Sequence, residues 1–366
     1  MGGSRTESVV TALRDRIGEG VYPPGTALPS ERQLTEEFGV SRVTVRNALG
    51  RLEARNLVSR SAGRGTYVVD QAAPARGGSV AVGPIALVSS QLTPSVASPV
   101  AAGCSSAALA HRCQLLLCDT GGATFAEAQA KELLHLKALY EQGVAGIAIW
   151  WQEGDASIPW LDRMLREGRA VVAVDRQVEG IDADFVGIDD EGAAHDAVRH
   201  LIGLGHRRIA CVVHSLKVTA SSQRLAGYRR ALMEHCLDAD ADLALVVDEG
   251  RAGVGEEVAR RLLGLAEPPT ALMAVNDYVA VEIIEALLAR GVRVPEDVAT
   301  VSFADMEVAR HYRVPLTTVH QPFRAIGESA VHLICERLET GRTQPKRAIL
   351  PTSLIVRKSC GARREP

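Results

Sequence analysis

Two alternating periodicities constrain this chain more than any other feature. Between residues 85 and 303, eight short apolar runs recur, at 85–89, 114–118, 146–150, 170–174, 208–213, 243–247, 271–275 and 299–303. Stretches with helical spacing lie between them, among them 126–142, 191–204, 224–235 and 278–290. Strands that are apolar on both faces and alternate with amphipathic helices bury their surfaces in parallel sheets covered by helices. The expected fold class is therefore α/β, with doubly wound parallel sheets. The 366 residues suit two or three domains, at roughly 100–200 residues each. With 46% hydrophobic and 23% charged residues, a disordered, collagen-like or small disulfide-stapled chain is excluded. No apolar run approaches the ~18 residues of a membrane span. Residues 1–10 lack the apolar core of a secretory signal, so a cytoplasmic location is expected.

Seven cysteines are scattered without a CxxC pair, and ten histidines form no HExxH motif. Neither a disulfide framework nor a metal site is expected, and the thiols read as reduced. No nucleophile elbow or phosphate-cradling loop occurs either, and Gly250, Gly253 and Gly255 fit no phosphate motif. The reading is a protein that is not an enzyme and carries no cofactor.

The stretch DQAAPARGGSVAVG (70–83) is small-residue-rich and suits an exposed linker. Residues 1–76 hold 11 basic and 8 acidic residues, a net +3, and the remainder is −6. A basic head on an acidic body points to nucleic-acid contact by the head alone.

Within the head, Val10, Leu13 and Ile17 mark one helical face, and Pro23-Pro24-Gly25 turns the chain. Ser30 with Gln33 forms a capping box for a short helix at 31–38. Gly39 ends that helix and Ser41 caps the next, whose buried stripe is Val45, Ala48, Leu49 and Leu52. Two β-prone pieces at 58–60 and 66–69 flank Gly63-Arg64-Gly65. This order is a helix-turn-helix with a β-wing. Such a motif places the start of its second helix in the major groove. Arg42 and Arg46 are then base-reading candidates, Ser41 and Thr44 phosphate ligands, and Arg64-Gly65 the wing contact. The competing reading of the arginines is a solvated helix face. Here the stretch LPSERQLTEEFGVSRVTVRNALGRLEARNLVSRSAGRGTYV (28–68) resembles the winged-helix domain of GntR-family transcription regulators. That resemblance adds Arg32, at the front of the first helix, to the DNA contacts.

In the body, polar residues follow the strand-like runs: Asp175-Arg176, Asp189-Asp190, Asn276-Asp277 and Asp305, with Arg224 opening a helical stretch. Ligands of open α/β sheets bind outside the carboxyl ends of the strands. The candidates are therefore Arg176, Asp190, Arg224, Asn276, Asp277 and Asp305, a set suited to a hydrogen-bonding small molecule. Asn276-Asp277 also fits a helix cap. The segments 174–212, 268–306 and 315–322, with the Arg224 run, resemble the effector domain of LacI-family repressors and periplasmic sugar-binding proteins. The resemblance implies two subdomains, about 84–186 with 318–346 and about 187–317 with 347–366. It places crossovers near 185–189, 317–319 and 345–349, and the ligand between the halves.

Two departures stand out. The family's aromatic turn after the first strand is replaced by Thr93-Pro94-Ser95-Val96-Ala97, so Trp150, Trp151 or Phe185 is expected to supply the ring that packs on a sugar. The family's Gly-Phe-Asp-Asp appears as Ser302-Phe303-Ala304-Asp305, which weakens the case for an ordinary sugar. Residues 1–69 are thus expected to form a DNA-binding head and 84–366 an effector-binding and dimerisation domain, an architecture similar to arabinose repressors. The functional expectation is a ligand-responsive regulator, a repressor binding double-stranded operator DNA as a homodimer, with no membrane partner. Its effector is a sugar or derivative, or alternatively a nucleoside or other non-sugar metabolite. A cytoplasmic solute-binding protein is the alternative of another class.

Overall fold

A computed structural model describes residues 3–18, 21–22, 26, 28–54, 58–61, 65–68, 83–90, 97–122, 124–248 and 253–362. The chain divides into two compact units, 1–80 and 81–366. Apart from Gly83, the expected linker lies outside the described residues, as does the Pro23-Pro24-Gly25 turn.

The first unit contains helices α1 (Gly3–Gly18), α2 (Glu31–Phe38) and α3 (Arg42–Ala54), then the antiparallel strands β1 (Val58–Ser61) and β2 (Gly65–Val68). Ser30 accepts from the Gln33 amide while the Gln33 side chain accepts from the Ser30 amide, completing the capping box. Gly39 follows α2 at φ 60°, a left-handed position that costs glycine nothing. One core gathers Val10 and Leu13 of α1, Leu34 of α2, Val45, Leu49 and Leu52 of α3, and Val58 and Val68 of the wing. The segment before α2 also ties to the wing, because the Leu28 amide donates to the Thr66 carbonyl at 2.7 Å and the Val68 amide to that of Thr26 at 2.9 Å.

The second unit opens with β3 (Ile85–Ser89), α4 (Ala97–Ala110), β4 (Leu115–Asp119), α5 (Phe125–Glu141), β5 (Gly146–Ile149), α6 (Ile158–Arg166), β6 (Ala170–Val174) and β7 (Asp184–Ile188). It continues with α7 (Asp190–Gly203), β8 (Ile209–Val213), α8 (Thr219–Glu234), β9 (Ala244–Val246), α9 (Val254–Leu263), β10 (Ala271–Ala274), α10 (Asp277–Ala289), β11 (Ala299–Ala304), α11 (Glu307–His311) and β12 (Thr317–His320). The chain ends in α12 (Phe323–Thr340), β13 (Arg347–Leu350) and β14 (Ser353–Ile355).

The strands form two six-stranded sheets, in the orders β13-β7-β6-β5-β3-β4 and β14-β12-β11-β10-β8-β9. All pairs are parallel except β12 with the antiparallel edge strand β14. Strands β3, β6 and β7 of the first sheet and β8 and β11 of the second are buried along their whole length, which accounts for their continuous apolar runs. The mixed α/β class with parallel-rich sheets and an N-terminal helix-turn-helix is thereby shown.

The chain passes between the sheets at residue 189, at 321–322 and at 351–352. Two passages fall later than expected. β12 stays wholly in the second sheet through His320, and β13 adds residues 347–350 to the first. Hydrogen-bond register to β11 and β7 decides those boundaries, and single-chain periodicity carries no record of it.

Helices α4 and α12 cross where Gly103 meets Gly327. A Cβ on Gly103 would stand 2.0 Å from the Arg324 carbonyl oxygen, and one on Gly327 2.1 Å from that of Val100. Backbone cannot yield as a side chain tip does, so even a methyl forces the helices apart. Gly327→Ala is expected to lower stability by about 1–3 kcal/mol, read as a lower urea midpoint at unchanged m-value.

Candidate functional site

In the head, the turn between α2 and α3 brings the expected contact residues together. The Ser41 hydroxyl accepts from the Thr44 amide at 3.2 Å and lies 2.9 Å from the Thr44 hydroxyl. Of these two hydroxyls, both expected as phosphate ligands, that of Ser41 caps α3 and that of Thr44 bonds it. Arg42 and Arg46 are exposed on that helix. Arg46 Nη2 lies 3.2 Å from Glu31 Oε2, and Arg32 Nη1 lies 3.3 Å from Glu36 Oε1. Exposed pairs such as these contribute only about 0–1 kcal/mol, so each guanidinium can be transferred to another anion. Gly65 begins β2, while Arg64 lies outside the described residues.

In the body, polar residues at the carboxyl ends of the strands form two sets. On the first sheet, β6 ends in Asp175 at φ 64° followed by Arg176, whose Nη1 lies 3.5 Å from Glu153 Oε1. Behind this pair sits Glu132, fully buried, accepting from the Gln152 amide at 2.8 Å and the Ser157 hydroxyl at 2.6 Å. Burial pushes the Glu132 carboxyl up to about 7, with Ser157, Gln152 and Arg176 opposing the shift.

On the second sheet, Arg224 Nε donates to Asp190 Oδ1 at 2.8 Å and Nη1 to the Val275 carbonyl at 2.6 Å. The guanidinium also stacks 4.2 Å from the Phe303 ring. Burial raises the Asp190 carboxyl to about 6 despite Arg224, and the charge on Asp175 from the other half adds to the rise. Gln321, on the second passage, donates to Asp175 Oδ1 at 3.1 Å. The second passage is thus bonded to the first half through Gln321 and Asp175. Asn276 caps α10 by accepting the Val279 amide at 2.9 Å and also reaches His214 Nε2 at 3.3 Å.

Other expected ligands are placed differently. Asp277 is fully buried and accepts from the Ser302 and Thr318 hydroxyls and the Met306 amide, so its carboxylate is occupied by the protein. Asp305 accepts from Arg310 at 2.9 Å and Arg357 at 2.5 Å, with His320 at 3.3 Å. Burial works against its charge, but the two arginines outweigh it and hold the carboxyl below its usual range. Both carboxylates were expected to face a ligand. Apart from Arg310 on the neighbouring α11, the partners that consume them come from strands and a C-terminal segment farther along the chain, so spacing carried little sign of this. Trp151 and Phe185 pack in the first half's core, and Trp150 packs 6.2 Å from Phe323. Ala304 at the end of β11 and Met306 just beyond it join the apolar cluster of Trp150 and Phe323, and Ala304 stands at φ 113°.

Sequence reasoning missed Glu132, Glu153, Gln152, His214 and Gln321. The position of Gln152, Glu153, His214 and Gln321 just beyond strand ends was there to find, while nothing local marked Glu132. Three buried polar atoms in these regions have no protein partner: Thr120 Oγ1 after β4, Trp151 Nε1 after β5 and Thr219 Oγ1 at the start of α8. Among the described residues no group of three His, Cys, Asp or Glu side chains could hold a metal ion, and no helix is long and apolar enough to cross a membrane.

Residues 5–68 match the family model for bacterial regulatory proteins of the gntR family, and residues 198–360 match that for the periplasmic binding protein-like domain. The chain is 31% identical over 228 residues to the HTH-type transcriptional repressor PurR of Vibrio atlanticus, covering 62% of this chain and 65% of that protein. It is 31% identical over 248 residues to the HTH-type transcriptional regulator DegA of Bacillus subtilis, covering 67% and 71%. A solved structure, the transcriptional regulator CelR-cellobiose complex, superposes with a TM-score of 0.67 at 25% identity, covering 91% of this chain and all of that one.

The Glu132 carboxyl carries a pH prediction. Its folded-state value of about 7 lies above the ordinary 4.5. The stability this group contributes is therefore present below pH ~4.5 and lost as pH rises through ~7, by roughly 2–4 kcal/mol. Glu132→Gln is expected to flatten that part of the stability profile, measured by urea unfolding at stepped pH. A variant profile as steep as the parent's would remove Glu132 as the cause.

Proposed function

Because the chain belongs to the HTH-type transcriptional regulators, with a gntR-family head and a periplasmic-binding-protein-like body, we propose that it binds operator DNA as a homodimer under the control of a small molecule held between the two halves of its body. A two-fold dimer lets two heads read two half-sites. The observation that carries the DNA reading is the exposed first turn of α3, with Arg42 and Arg46 on a wing-braced helix-turn-helix. Arg32 and the wing residues Arg64 and Gly65 complete the proposed contacts. Arg46→Ala is expected to abolish sequence-specific binding while leaving the body's ligand response intact, measured by fluorescence anisotropy and thermal unfolding. Full-strength operator affinity in that variant counts against the assignment.

For the effector, the proposed contacts are Arg176, Asp190, Arg224 and Asn276, joined by His214 and Glu153. The unpartnered Thr120, Trp151 and Thr219 atoms support a ligand rich in hydrogen-bonding groups, because buried polar atoms are otherwise paired. A sugar or sugar derivative fits this best, and the likeness to a cellobiose complex supports it. A nucleoside or other non-sugar metabolite is the second reading. It is favoured by Ala304 and by the internal occupation of Asp277 and Asp305, which leave few carboxylates to grip sugar hydroxyls.

Such a ligand acts only through different affinity for two arrangements of the halves, a coupling of about 1–3 kcal/mol in regulators generally. The test is thermal unfolding against sugars, sugar phosphates, polyols and nucleosides. A ligand binding only the folded state adds about 2.7 kcal/mol at a hundredfold excess over Kd. The class that shifts the transition names the effector, and Arg224→Lys, which keeps a charge beside Asp190, is expected to lose most of the shift.

A further inference from the structure

The buried stripe of α3, Val45, Ala48, Leu49 and Leu52, fixes which face of that helix looks outward. Residues three and four apart share a helix face. Val43, Arg46, Asn47 and Gly50 therefore form one row opposite the stripe. Val43 is 69% exposed, and Arg46 and Asn47 are exposed beside it. Among the described residues a Cβ built on Gly50 meets nothing within 4 Å, so the row is open at that end. Arg42 is next to Val43 in sequence but about 100° around the helix, on the flank of the row.

An exposed valine gains almost nothing from folding here, and Asn47 is a poor residue for a helix interior. Both make sense against a base edge. In the major groove, thymine offers a C5-methyl to an apolar side chain, adenine offers N6 and N7 to an asparagine, and guanine offers O6 and N7 to an arginine. The row Val43, Arg46 and Asn47 presents these three chemistries side by side.

We infer that Val43 and Asn47 are specificity-determining residues, Val43 meeting a thymine methyl and Asn47 an adenine edge, next to the base taken by Arg46. This inference rests on the proposed reading of DNA by the head.

The experiment begins with the full-length chain selecting duplexes from a randomised library. In the selected duplex, each thymine is replaced by uracil, which removes only the methyl, and each adenine by 7-deazaadenine, which removes the N7 acceptor. One uracil position is expected to weaken parental binding about fourfold, the worth of a buried methyl. One deazaadenine position is expected to weaken it about tenfold or more. Val43→Ser is expected to lose the uracil effect alone, and Asn47→Ala the deazaadenine effect alone. Thermal unfolding is expected to be nearly unchanged, because both side chains are exposed. A selected duplex with no sensitive position, or sensitivity that survives in the variants, overturns the inference and leaves DNA reading standing. Failure to select any sequence overturns the DNA reading itself, and the inference with it.

Discussion

The buried pair of Asp190 and Arg224 ties the body's architecture to its chemistry. Asp190 opens α7 directly after the first passage between the sheets, and Arg224 reaches it from α8 while bonding the end of β10 and stacking on Phe303 of β11. Four elements of the second half are thereby fixed around one charge pair. Neither partner tolerates loss of the other, since a lone charge there faces a desolvation penalty of several kcal/mol. The charge on Asp175 of the first half adds to the upward shift of the Asp190 carboxyl, so the pair feels the other half of the body through electrostatics.

The head depends on a simpler constraint. Its small core must hold three helices and a wing, so it uses local devices at each boundary: the Ser30 box, left-handed Gly39, and Ser41 capping α3. These devices leave the opposite face of α3 with no packing duty. On that face Arg46 pairs with Glu31 of α2 at 3.2 Å, a contact of the kind that restrains a side chain only weakly.

Part of the candidate site was legible from position alone, since parallel strands deliver their carboxyl ends to one edge. Arg176, Asp190 and Asn276 were singled out in that way, and Arg224 by its place on a helical stretch and by the family resemblance. Asp277 and Asp305 obey the same positional rule and yet are bound within the protein. Their partners, Thr318, Arg310 and Arg357, are brought to them by β12, α11 and the C-terminal segment. Glu132 was missed for the complementary reason: it lies within an amphipathic helix, where a glutamate reads as solvent-facing, and only the packing of α5 against the 152–157 segment buries it.

By itself the sequence determined the α/β alternation, the helix-turn-helix with its caps and the division into head and body. These follow from local periodicity, capping and turn chemistry, which act over a few residues. Tertiary structure decided which sheet each of β12 and β13 joins and which carboxylates are consumed internally. Those outcomes depend on register and on contacts between segments separated in the chain, such as Arg357 with Asp305 and Gln321 with Asp175. Local sequence carries no term for such contacts, because their energy exists only once the sheets have paired and the helices have packed.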